Sequence, residues 1–219
     1  MFLVISDILK DTDLSLAAKE YSAQDGFESG VGTAGRRARQ VKNNEQAGDS
    51  VLAESLRGLI RKRLENHDLV TAAARPKSIV RLILSRYREG MAYGRHLDAA
   101  LMDGQRTDLS FTLFLNAPEA YEGGELVVEE AAGEREVKLP AGSMVIYPSY
   151  SLHRVEPVRS GERWTAVGWI RSLIRDEGAR DVLYDLAIAK RRASALKDDE
   201  LVDRLGKVES QLLRRWADD

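Results

Sequence analysis

His96, Leu97 and Asp98 stand together after a strand-like run, and His153 opens another such run further on. They include two of only three histidines in a chain of 219 residues. If the chain is extended at 96–98, positions i and i+2 face the same way, so imidazole and carboxylate converge while Leu97 points away. Alone, the pair is a common chance arrangement, a surface histidine bonded to an aspartate. With His153 it becomes two imidazoles and one carboxylate. That is the facial triad of non-haem iron, with three positions open to a bidentate co-substrate and O₂. The same donors suit zinc, so ligand type alone leaves the metal open.

Arg163 begins RWTAVGWI, the predicted strand after the one that His153 opens. If the two strands pair antiparallel, the guanidinium returns beside the metal ligands, where its fork can hold a carboxylate by two parallel hydrogen bonds. Otherwise it is an edge arginine at the surface. Alternation places Arg163 and Thr165 on one face, and an interior arginine there requires an anionic partner. Tyr87 either donates its phenol to a co-substrate carboxylate or fills the core or rim, and Tyr93 can point either way. Arg39, Lys42 and Asn43 line a substrate entrance or belong to a solvated loop. Gly123 and Gly124 suit a tight turn, because glycine tolerates positive φ. His67 suits an exposed helix terminus, and AKRRASALK a solvated helix face.

The composition is that of an ordinary globular protein, 43% hydrophobic and 31% charged. A net charge of −2 and a pI near 6.0 supply no argument for nucleic acid or an anionic membrane as partner. The absence of cysteine excludes disulfides, thiolate metal sites and a cysteine nucleophile. MFLVISDILKDTD lacks the basic flank and small-residue cleavage site of a signal peptide, and no run approaches the ~18 apolar residues of a spanning helix. The expectation is a cytoplasmic protein.

Three sections must position the candidate residues. The first, to about residue 75, is mixed: a short helix over Leu14–Tyr21, a glycine-rich polar segment from Asp25 expected to be loop, and a helix from Asp49, capped by Asp49 or Ser50. The middle, about 76–171, holds short β-branched and aromatic runs punctuated by glycine, proline or asparagine, the pattern of an antiparallel sandwich or barrel. The last, from about Asp176, is helical. Val182, Leu183, Leu186 and Ala189 mark one face, and Leu201, Leu205, Val208 and Leu212 another. With Trp216, the second face is enough either to pair two copies of the chain or to pack on its own barrel.

YREGMAYGRHLDAALM, DLSFTLFLNAPEAYEGGELVVEE, VKLPAGSMVIYPSYSLHRVEPVRSGERW and WIRSLIRDE resemble the PKHD-type hydroxylases, bacterial Fe(II)- and 2-oxoglutarate-dependent dioxygenases similar to prolyl 4-hydroxylases. ARQVKNNEQ and QLLRRWADD extend the resemblance over nearly the whole chain. It implies a mainly β member of the α+β class: a double-stranded β-helix, or jelly roll, flanked by N-terminal helices and a C-terminal helical extension. Residues 1–175 would form the dioxygenase domain, with its core at 76–171, and 176–219 the extension. The iron ligands fall on His96, Asp98 and His153, and the 2-oxoglutarate residue on Arg163. The reaction implied is hydroxylation of a C–H bond coupled to conversion of 2-oxoglutarate and O₂ to succinate and CO₂, with L-ascorbate keeping the iron reduced. The substrate the resemblance implies is peptidyl or a siderophore-like small molecule. Arg171 departs from the glutamine expected there. A metal- or 2-oxoglutarate-binding sensor and a zinc hydrolase are the rival readings.

Overall fold

The computed structural model describes residues 1–22 and 26–218. Asp25, where the polar segment was expected to begin, and Asp219, the last residue of the final motif, lie outside them. The strands are β1 (Leu3–Ile5), β2 (Phe27–Ser29), β3 (Lys42–Asn43), β4 (Glu45–Ala47), β5 (Pro76–Tyr87), β6 (Ala92–His96), β7 (Leu101–Met102), β8 (Gln105–Arg106), β9 (Leu109–Phe114), β10 (Tyr121–Gly123), β11 (Leu126–Glu130), β12 (Gly133–Val137), β13 (Met144–Pro148), β14 (His153–Val155), β15 (Val158–Gly161) and β16 (Arg163–Ser172). The helices are α1 (Asp11–Ser22), α2 (Val51–Glu65), α3 (Asp68–Ala74), α4 (Glu177–Ala195) and α5 (Asp199–Trp216).

One sheet runs β1-β13-β9-β16-β5-β4-β2, and a second runs β12-β11-β14-β6-β3. Strict alternation in the larger sheet sorts its side chains. Leu82, Leu84, Leu109, Leu113, Met144, Ile146 and Ala166 point to α1–α3, joining Ala17, Leu56, Ile60 and Leu64 in one core. The opposite face presents Tyr87, Phe114, Val145 and Tyr147 to Leu126, Val128 and Val155 of the second sheet. Two facing antiparallel sheets, one of them covered by helices, form the expected jelly roll.

The polar segment expected to be loop is partly strand. Residues 30–41 contain two single 3₁₀ turns, but β2, β3 and β4 pair at the edges of both sheets. An edge strand needs a partner on one side only, so polar residues are tolerated there. Ser50 caps α2, its Oγ accepting from the amide of Ala53 at 2.9 Å. His67 is half-buried and precedes α3 as its N-cap, so it is not an exposed terminus.

The C-terminal faces also differ from expectation. The buried residues of α4 are Ala179, Arg180, Leu183 and Ala193, while Val182 is exposed. Leu212, Leu213 and Trp216 of α5 pack against Ile174, Ala179 and Leu183, whereas Leu201 and Val208 face solvent. A half-buried Glu209 carboxylate ties α5 to Arg75 at 2.7 Å and to Lys190 of α4 at 3.0 Å. No helix among the described residues is long and apolar enough to cross a membrane.

Candidate active site

β6 ends on His96 and β14 begins with His153, and these two residues are directly opposite in the antiparallel ladder. Their rings therefore meet, with centroids 4.2 Å apart. Asp98 lies two residues past the end of β6, with exposed Leu97 between them pointing away as the i, i+2 argument requires. Its Oδ1 lies 4.0 Å from His96 Nε2 and its Oδ2 3.8 Å from His153 Nε2. One donor atom from each residue falls within 4.8 Å of the others, close enough to share a metal ion.

Backbone carbonyls set the tautomers. His96 Nδ1 donates to the carbonyl of Gly94 at 2.8 Å and His153 Nδ1 to that of Ser151 at 2.9 Å. A carbonyl can only accept, so each Nδ1 carries the proton and each Nε2 lone pair is left for a metal. Burial, and then the neighbouring His153, push the His96 pKa down to about 4, so the ring is neutral near pH 7. Tyr93 stacks on His96 with centroids 3.6 Å apart, which decides the direction left open for that tyrosine. Ser110 Oγ donates to Asp98 Oδ2 at 2.6 Å and lies 2.9 Å from Ser149 Oγ, fixing the carboxylate rotamer.

Arg163 reaches the same cavity by a route other than the one expected. β14 pairs with β11 and β6, whereas β16 pairs with β5 and β9, so His153 and Arg163 are not on neighbouring strands. They meet because the two sheets face each other. Arg163 is fully buried, with Thr165 beside it accepting from Nη1 at 3.0 Å. Its Nε and Nη2 have no hydrogen-bond partner, and none of the ion pairs among the described residues includes it. Such a cation is costly unless an anion joins it, so the pocket fits a carboxylate ligand. Tyr87 is opposite Arg163 in the ladder, its ring centroid 5.2 Å from the guanidinium carbon. Burial raises the Tyr87 phenol, which keeps its proton to donate.

Gly123 and Gly124 both have positive φ, 72° and 67°, confirming the turn. A Cβ on Gly124 would sit 3.0 Å from Arg163 Cδ, so this glycine also makes room for the arginine. Thr165 was placed beside Arg163 by strand alternation, whereas Ser110 and Ser149 are supporting residues that site reasoning from sequence missed. Ser110 lies at a polar inward position of an alternating strand, a pattern from which it could have been read.

The profile of the 2OG-Fe(II) oxygenase superfamily matches residues 82–171. A PKHD-type hydroxylase of Parvibaculum lavamentivorans is 58% identical over 219 residues, covering all of both chains. The chain belongs to the PKHD-type hydroxylases. Another member, from Acaryochloris marina, is 47% identical over the full length of both. Among solved structures, a Pseudomonas putida prolyl-4-hydroxylase covers 78% of this chain and 92% of its own at 23% identity and a TM-score of 0.53. A Burkholderia pseudomallei 2OG-Fe(II) oxygenase covers 77% and 84% at 18% identity and a TM-score of 0.56. Those two likenesses speak to fold. Membership in a family of PKHD-type hydroxylases makes the chain an oxygenase and implies Fe(II) and 2-oxoglutarate as its cofactor and co-substrate, in place of the zinc hydrolase and sensor readings.

Proposed function

We propose that His96, Asp98 and His153 hold the Fe(II), that Arg163 pairs with the distal carboxylate of 2-oxoglutarate, and that Tyr87 donates to the same co-substrate. The observation that carries this reading is the buried, unpaired guanidinium sharing one cavity of about 260 Å³ with the three convergent donors. Bound there, Fe(II) with 2-oxoglutarate and O₂ would supply the oxidant for placing one oxygen atom in a C–H bond, leaving succinate and CO₂.

The chain's own residues prepare that chemistry. Gly94 and Ser151 hold the imidazoles in the tautomer a metal needs, and Ser110 orients Asp98. Arg163 and Thr165 anchor the far end of the co-substrate, and Tyr93 and Tyr147 shield the histidines from water. In this reading residues 1–175 are the catalytic domain and 176–219 a helical extension. That extension pairs two copies through the exposed Leu201 and Val208, ascorbate sustains turnover, and the protein works in the cytoplasm.

The volume falls below the roughly 300–1,000 Å³ of drug-sized ligand pockets, so the co-substrate plus one side chain or the reactive end of a small molecule would fill it. The test is incubation with Fe(II), 2-oxoglutarate and O₂ and mass spectrometry of peptidyl and siderophore-like candidates. A gain of one oxygen that zinc does not support is the expected result. Iron-loaded protein that never consumes 2-oxoglutarate would sink the reading.

A further inference from the structure

The charged side chains lining the cavity are five cations, Arg36, Arg37, Lys42, Arg81 and Arg163, against one carboxylate, Asp98. This imbalance is local, because the whole chain carries a net charge of −2. Arg81 is neutralised by Asp103, with both contacts at 2.8 Å. Under the function proposed above, Arg163 takes one carboxylate of 2-oxoglutarate, and Asp98 with the other carboxylate offsets the metal. Lys42, Arg36 and Arg37 are then the cations left over.

Lys42 is the informative one. It is half-buried on β3, opposite Tyr93 in the ladder. Its ammonium lies 5.0 Å from the centroid of the Tyr93 ring, the ring that stacks on His96. Thr33 Oγ1 accepts one of its hydrogen bonds at 2.8 Å, and none of the ion pairs among the described residues includes it. An ammonium has three donors, so two remain. Burial costs this group enough to lower its pKa to about 8. The charge of Asp98 acts on this ammonium without forming an ion pair with it, and it does not offset the cost of burial. A lysine held half out of water with no carboxylate in contact, one aromatic ring from the candidate metal ligands, is better explained by an anion that arrives than by the fold's own needs. Arg36 and Arg37 stand exposed on the same entrance segment, where they would draw such an anion in.

We propose that the primary substrate of this site carries a carboxylate, received by Lys42 at the cavity mouth, and that the oxidised C–H bond lies within a few bonds of it. The inference rests on the function proposed above, and its test is separable from that reading.

The probe is a pair of isosteres, N-acetyl-aspartate α-methylamide and N-acetyl-asparagine α-methylamide, alike in shape and one negative charge apart. Each is titrated calorimetrically into anaerobic protein holding Fe(II) and 2-oxoglutarate, so that Arg163 is already occupied, and into metal-free protein. The carboxylate should bind about tenfold or more tightly than the amide, with the preference shrinking as salt rises. Lys42→Met should abolish the preference and Lys42→Arg retain most of it. The exposed double variant Arg36→Gln/Arg37→Gln should weaken it without affecting folding. Equal affinities, no measurable binding of either isostere, or a preference that survives Lys42→Met would overturn the proposal. The visible charge-transfer band of Fe(II) with 2-oxoglutarate, read in the same samples, reports separately on the function. If the band is missing from wild type, that reading fails, while the loss of preference between wild type and Lys42→Met, both with Arg163 intact, still decides the anion site in metal-free protein.

Discussion

Ser110 shows how far the site depends on single atoms beyond the donors themselves. Its hydroxyl is a short hydrogen bond from the only carboxylate in the triad. Ser110→Ala should therefore lower Fe(II) affinity by about 10–100-fold with little effect on stability, measured by competition with a metal chelator. Asp98→Ala removes the anion itself, leaves the metal's charge uncompensated and should cost more. Arg163→Leu should separate the two halves of the cavity. Iron should bind nearly as before, while 2-oxoglutarate should lose ~2–4 kcal/mol, because its carboxylate forfeits a buried charge-assisted pair. In an anaerobic titration the charge-transfer band of this variant should need far more co-substrate to appear. If Asp98→Ala retained normal 2-oxoglutarate turnover, the ligand assignment would be wrong.

The β10–β11 turn is as much a part of the site as the strands that carry its side chains. Gly124→Ala would force a β-carbon into a left-handed residue and against Arg163. It should cost about 1–3 kcal/mol of stability and raise the KM for 2-oxoglutarate, effects read from urea melts and steady-state kinetics. Helix α5 is a different case. Its second half is pinned by Leu212, Leu213, Trp216 and the Glu209 ion pairs, so simple deletion from Asp198 would damage the body of the protein as well. Leu201→Glu with Val208→Glu charges only exposed positions, 41% and 42% accessible in the wild type. Light scattering should show a dimer for wild type and a monomer for the variant. A wild-type monomer would end the idea of self-association.

Several of the ties that close the molecule are carboxylates held by cations. Burial alone would raise Asp13, Glu177 and Glu209. Hydrogen bonds from Arg63, from the N-terminal amine and Tyr150, and from Arg75 and Lys190 respectively outweigh it and hold all three below the ordinary range. Groups whose folded pKa lies below the unfolded value stabilise fully above the unfolded value and lose that contribution as pH falls through the folded one. The reference values are 3.8 for aspartate and 4.5 for glutamate, so the loss from these groups should begin below about pH 5 and continue downward. Urea denaturation of metal-free protein at a series of pH values should show this decline. Glu209→Gln should shift the curve down at neutral pH and flatten its acid limb.

Residue type and spacing along the chain already marked the candidate donors. A histidine and an aspartate two apart, a second histidine after a turn and an arginine opening a strand are local patterns, and strand alternation alone puts Arg163 and Thr165 on one face. Most strands were legible for the same reason, since a buried strand advertises itself by its β-branched and aromatic residues. Sheet pairing was not local. Whether Arg163 neighbours His153 along a ladder or faces it across the barrel depends on which strands pair, and that is decided by the simultaneous packing of two sheets. The edge strands β2, β3 and β4 were hidden because their hydrogen bonds, and not their side chains, make them strands. The face α4 buries is likewise chosen by its neighbours: Ala179 and Leu183 meet Ile174, and Val182, equally apolar, meets water. The sequence left Lys42 between a substrate entrance and a solvated loop. Only the ladder that places it over Tyr93, and Tyr93 over His96, makes it part of the site.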